Sequence, residues 1–93
     1  MTHNLDCNLQ QVMNEIPDAI LWSYAEHIRF ARYPVVRGQM FDVLIINDGD
    51  KRIGMAVHTS DTDFDFFTEN MDSPIIQDFL SRIDWKEYWC LTE

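Results

Sequence analysis

Apolar side chains recur at Leu9, Val12, Met13 and Ile16, the spacing of one face of a short helix. Asn8 stands where an N-cap is wanted. Pro17 interrupts the stripe, and Pro17-Asp18 suits the first turn of a second helix. Ile20, Leu21, Tyr24, Ile28 and Ala31 carry a helical stripe on to about Arg32. Tyr33-Pro34 closes it, because the residue before a proline avoids the α region. The spacing thus predicts helix over 9–16 and again over 17–32, with room for a short strand near Val35 and Val36.

The period then changes. Val43, Leu44, Ile45 and Ile46 form an uninterrupted apolar run, followed by the turn residues Asn47-Asp48-Gly49-Asp50 and a return stretch over 52–58. A strand without polar alternation is expected at the centre of a sheet, buried on both faces. A three-residue loop, Asp48-Gly49-Asp50, sets Asn47 opposite Lys51 and Asp42 opposite Ala56. Phe41, Val43 and Ile45 then share a face with Ile53, Met55 and Val57. Met40, Asp42, Leu44 and Ile46 share the other with Arg52, Gly54, Ala56 and His58. A two-residue loop would mix the two sets, so the longer loop is preferred.

Ser73-Pro74 is an N-cap followed by a proline at the first helical position. Ile75, Ile76, Phe79, Leu80 and Ile83 give the next helix its apolar stripe, and Tyr88-Trp89-Cys90-Leu91 suits a last strand. The expected fold class is α+β: a single small domain over 1–93 in the order α-β-β-α-β, with one extra short strand as an option.

Composition changes the picture in one respect. The chain of 93 residues has formal charge −9, yet 46% of it is hydrophobic and 13% aromatic, too rich for a disordered acidic tail. The acidity therefore decorates a folded body, and its field repels phosphate and attracts basic partners. No apolar run approaches the about 18 residues of a membrane span. The first residues lack the basic and apolar regions of a signal peptide. With Cys7 and Cys90 as the two cysteines, the expectation is a cytoplasmic protein with reduced thiols.

The hairpin with the Ser73-Pro74 helix and last strand resembles the core of the PD-(D/E)xK nucleases, most closely their compact VRR type, over about residues 41–91. In that family an Asp on the first hairpin strand and an acid-x-Lys motif on the second bind a divalent metal and assist water attack on phosphate. By position Asp42 matches the Asp, Ala56 falls where the second acid belongs, and His58 where the Lys belongs. Glu26 matches an auxiliary acid of some members. Two motif positions have lost their chemistry, so the resemblance implies a degenerate domain or one weakly active through Asp42, His58 and Glu26. The lack of a basic substrate groove weighs against cleavage. Without a real resemblance, Asp42 would meet Arg52 or solvent.

From Ile53 to Ser81 there is no lysine or arginine, while Asp61, Asp63, Asp65, Glu69, Asp72 and Asp78 all lie inside. Asp61-x-Asp63-x-Asp65 with Asp72 at the twelfth place is similar to a calcium loop, but Phe66 replaces the required Gly and Asp72 the required Glu. No metal or other cofactor is implied. On an extended strand these aspartates share one side and lie about 6.5–7 Å apart. That is near the phosphate interval of a DNA strand. The plain alternative is ordinary solvated surface.

Other chemistry is sparse. Arg29, Arg32 and Arg37 cluster near the end of the expected long helix, where cations complement the dipole. With Lys51 and Arg52 they would form a basic pole suited to a homodimer. His3, His27 and His58 are scattered, there is no Gly-rich phosphate loop, and no nucleophile motif occurs. Most of Trp22, Trp85 and Trp89 should be core, and any that is exposed would be a binding hot spot.

The expectation is a binder, not an enzyme: a small acidic protein that occupies a basic surface of a nucleic-acid-binding protein or complex. It shares size, acidity and lack of catalytic motifs with phage inhibitors of the anti-CRISPR and anti-restriction type, some of which are DNA mimics. Asp61, Asp63, Asp65, Glu69 and Asp72 would supply charge; Phe66, Phe67 and Met71 would supply apolar anchoring. Direct nucleic-acid binding and membrane binding are not expected. An immunity or antitoxin protein facing a basic toxin is an alternative with the same physics.

Overall fold

The computed structural model describes residues 8–36, 38–59 and 64–82. Five antiparallel strands run side by side in chain order: β1 (Trp22–Ala25), β2 (Ile28–Val36), β3 (Gln39–Asp48), β4 (Lys51–His58) and β5 (Phe64–Thr68). Helix α1 (Leu9–Glu15) covers one face and α2 (Pro74–Arg82) the other, with a 3-10 turn at Asp18–Ile20 between α1 and β1. The class is α+β as expected, but the order of elements is not, because the sheet has more strands.

The difference lies in residues 17–32. The expected second helix is absent there; its place is taken by the 3-10 turn, β1 and the first half of β2. Ile28 and Phe30 face α2, while Ala31 and Val35 face α1, so the period is two. Aromatic and β-branched side chains fit a pleated, half-buried surface better than a helix. Pro34 ends no helix: it lies in the irregular stretch where Tyr33 pairs with Phe41 and Val36 with Gln39, a site that needs no N–H from it.

β3 is the buried central strand that its composition predicts: Val43, Leu44, Ile45 and Ile46 are all fully buried. Its pairing with β4 differs from expectation. Leu44 faces Ala56 and Asn47 faces Arg52, across a two-residue loop whose Gly49 has φ +64. Positive φ at the first central position alone is the signature of a type II′ hairpin turn. Ile46 pairs with Gly54 and Asn47 with Arg52, so Ile53 is the extra residue of a bulge. Loop and bulge together shift the register by two, which returns Val43, Ile45, Met55 and Val57 to one face and Leu44, Ile46 and Ala56 to the other. Arg52 and Ile53, between loop and bulge, exchange their expected faces: Arg52 reaches the Met13 carbonyl of α1 and Ile53 joins the α2 side.

The α2 side is closed by a tight contact. A Cβ on Gly54 would lie 3.0 Å from Ile76 Cδ1 and 3.3 Å from the Phe67 carbonyl oxygen. The missing side chain lets α2 sit close to the sheet. Helix α2 starts as predicted, with Ser73 Oγ accepting from the Ile75 N–H at 3.3 Å. Burial of Ile76 and Phe79 contributes about 1.5–3 kcal/mol each. α1 begins on Asn8, whose Oδ1 accepts from the Gln11 N–H, and buries Val12 and Met13. Ile83 and the expected strand over 85–91 lie outside the described residues, as do Cys7 and Cys90.

Candidate functional site

Three chain reversals meet at one end of the sheet. The β3–β4 turn brings Asp48 and Asp50 there. The β1–β2 turn, with Glu26 and His27, is fastened alongside by the Asn47 N–H donating to the His27 carbonyl at 2.8 Å. Because Thr68 pairs with Gly54, the segment leaving β5 carries Glu69 and Asp72 to the same end. Asp18 reaches it from the 3-10 turn. All six carboxyl-bearing residues are exposed. Turns want Asp, Asn and Gly for backbone reasons, and a sheet whose turns gather at one end thereby gathers charge.

Two open grooves run through this end, of about 540 Å³ and 410 Å³, sharing Lys51, Ile53, Glu69 and Asn70. Asp18 and Asp50 line the first, Asp48 and Asp72 the second. Arg52 is already engaged: Nη1 donates to the Met13 carbonyl at 2.6 Å and Nη2 to Asp18 Oδ1 at 2.5 Å. Lys51 is exposed and makes no ion pair within 4 Å among the described residues. The end of the sheet is an acidic pole.

The structure divides the predicted site residues. Glu69, Met71 and Asp72 are exposed and line the second groove. Asp65 is buried, at 7% exposure, in β5 opposite Val57. The expected outward row of aspartates therefore loses Asp65, because alternation along β5 sends it to the α1 side and Phe64 and Phe66 to the α2 side. Phe66 stacks on Phe79 with centroids 5.9 Å apart, and Phe67 packs against the α1-side core; neither is a free anchor. Asp61 and Asp63 lie outside the described residues. Sequence reasoning missed Asp18, Glu26, Asp48 and Asp50 as parts of one site, although the turn residues themselves were plain.

Of the residues carried over from the nuclease resemblance, Asp42 and His58 come together, and Ala56 and Glu26 do not join them. Asp42 pairs with Arg32 across β2 and β3, Oδ1 accepting from Nε at 3.0 Å, not with Arg52. His58 Nδ1 lies 3.9 Å from Asp42 Oδ2. Ala56 faces Leu44 instead of Asp42. Glu26 adjoins His27, whose carbonyl accepts from the Asn47 N–H, roughly 16 Å along β3 from Asp42 at about 3.3 Å per residue. Among the described residues no three His, Cys, Asp or Glu come together as metal ligands. No basic pole forms among the described residues either: Arg32 lies opposite Asp42 and Lys51 opposite Asp48, six positions apart along β3, and Arg29 donates to the Ala25 and Ile28 carbonyls. Arg37 is outside the described residues.

Trp22 is 68% exposed on the edge strand β1, tilted against Phe30 at 6.1 Å. Among the described residues no helix is long and apolar enough to cross a membrane. Comparison with protein-family models, with curated proteins and with solved structures gives no match.

Proposed function

We propose that the protein works by binding, with its acidic pole captured against a basic site of a nucleic-acid-handling protein or complex, which it inhibits by occupying that site. The observation that carries the reading is the gathering of Asp18, Glu26, Asp48, Asp50, Glu69 and Asp72 at one end of the sheet, against Lys51 and an Arg52 already engaged. Such a field accelerates encounter with a positive surface and rejects phosphate. Met71, 51% exposed beside Asp72, offers a flexible apolar contact at the rim. An inhibitor of the anti-CRISPR or anti-restriction kind needs these properties and no catalytic group.

The test is capture from a bacterial lysate at low salt on the immobilised chain, with identification of what is retained. A basic nucleic-acid-binding protein, displaced by added duplex DNA, is the expected result. Retention of proteins indifferent to DNA would overturn the reading.

A further inference from the structure

The sheet has two outer strands, and they differ. β5 has no exposed residue, whereas Trp22, Ser23 and Ala25, three of the four residues in β1, are exposed. Among the described residues β1 pairs only with β2, so alternate N–H and C=O groups along its other side face away from the sheet. Residues 19–25 hold neither charge nor proline, two usual guards of such an edge. Trp22 rests on Phe30 with centroids 6.1 Å apart and stays 68% exposed. A largely exposed tryptophan at a sheet edge has the size and rigidity of an interface anchor.

The far end of this edge is closed. The register shifts between Ser23 and Ala25, and Arg29 Nη1 donates to the Ala25 carbonyl at 3.1 Å. An added strand therefore pairs beside Trp22 and Ser23. Charge decides what that strand belongs to. Beyond Ala25 the chain runs directly into Glu26, whose carboxylate is 88% exposed although His27 Nε2 lies 3.6 Å away, so the edge is continuous with the acidic pole. A second copy of the chain would bring another charge of −9 against the first. A basic protein seated on the pole brings the opposite sign.

We propose that β1 receives an extended segment of the protein bound by the acidic pole, which adds to the sheet as a further strand, covers Trp22 with an apolar side chain and turns a basic one toward Glu26. The inference rests on the binding role assigned above and gives a register to an encounter that charge alone leaves loose. Main-chain bonds to the edge align the segment, and its own alternation sets which side chain meets Trp22. So short a ladder holds little by itself, and the field of the pole supplies the rest.

The experiment uses the full chain and three end-capped peptides, read by amide chemical-shift changes at low salt. The first alternates threonine and valine between two terminal lysines, the second is the same with its central backbone nitrogens methylated, and the third has glutamates for the lysines. The first is expected to shift amides over 21–24 and to bind several-fold more tightly than the other two. Trp22→Ala should weaken it several-fold, and Trp22 is exposed enough that folding is not at stake. Equal binding of the methylated peptide, or shifts confined to Asp48, Asp50 and Asp72, overturns the proposal. So do shifts over 21–24 that grow with the concentration of the chain alone, which would mark a second copy as the occupant. If the peptides leave β1 unmoved while lysate capture still yields a basic protein displaced by DNA, the edge is wrong and the pole stands. Binding at β1 with no basic protein captured keeps β1 as a strand acceptor and removes the role of the pole.

Discussion

Arg52 and Asp18 are joined across 34 positions of sequence, Nη2 to Oδ1 at 2.5 Å, while the other end of the same guanidinium holds the Met13 carbonyl in the last turn of α1. One buried-stem arginine on β4 thereby fastens both α1 and the 3-10 turn to the sheet, and in doing so removes its own charge from the acidic pole. Replacing Arg52 by Met keeps much of the stem and loses both links. The expected cost is about 1–3 kcal/mol, mostly from the Met13 carbonyl and the packed stem, since Asp18 itself is largely solvated. Urea unfolding checks it; a change within about 0.5 kcal/mol would show that the clasp is incidental.

Gly54 is the point of closest approach between sheet and α2. Gly54→Val adds a branched side chain where Ile76 Cδ1 and the Phe67 carbonyl already stand at the contact limit, so α2 must lift. A loss of about 1–3 kcal/mol is expected, as for other overpacked cores. Valine's better strand propensity offsets only part of it. Equal or greater stability of the variant, measured by thermal unfolding, would contradict the packing described for α2.

Asp65 and Asp72 were alike in sequence and are opposite in structure. Asp65→Lys places a cation at a buried site of β5 facing Val57 and is expected to cost several kcal/mol, enough to threaten folding. Asp72→Lys changes an exposed turn and should stay within about 0.5 kcal/mol. Denaturation midpoints of the two variants, side by side, decide it.

The helix starts are local and should respond locally. Asn8→Ala and Ser73→Ala each remove a side-chain acceptor from a first-turn N–H. Each is expected to cost about 0.5–2 kcal/mol. Hydrogen exchange at Gln11 and Ile75 should accelerate in the matching variant and not in the other.

Where the sequence was legible, one local rule spoke without a rival. The Ser73-Pro74 start, the apolar run over 43–46 and the Asn8 cap each had a single reading, and each is found. Between Leu21 and Val36 two periods coincide: Tyr24, Ile28 and Ala31 satisfy a helical stripe, while Ile28 and Phe30 against Ala31 and Val35 satisfy alternation. The density of aromatic and β-branched residues favoured strands, and Pro34 misled by resembling a helix stop. In the hairpin the loop is one residue shorter than expected; beyond the Ile53 bulge the faces agree with expectation, because the bulge restores the parity that a two-residue loop removes, while Arg52 and Ile53 before it exchange faces. The site was half legible for a different reason. Charge can be counted along a chain, but Asp18, Glu26 and Asp48 belong with Asp72 only once the turns are known to share an end of the sheet.

The most direct measurement is the association rate of the chain with its captured partner, followed from about 50 mM to about 500 mM salt, where the Debye length falls to a few ångströms. A second chain carries Asp48→Asn, Asp50→Asn, Glu69→Gln and Asp72→Asn. Steering by the pole predicts that the natural chain slows at least tenfold over this range, and that the substituted chain is already slow at low salt. Equal rates for the two chains, insensitive to salt, would contradict it.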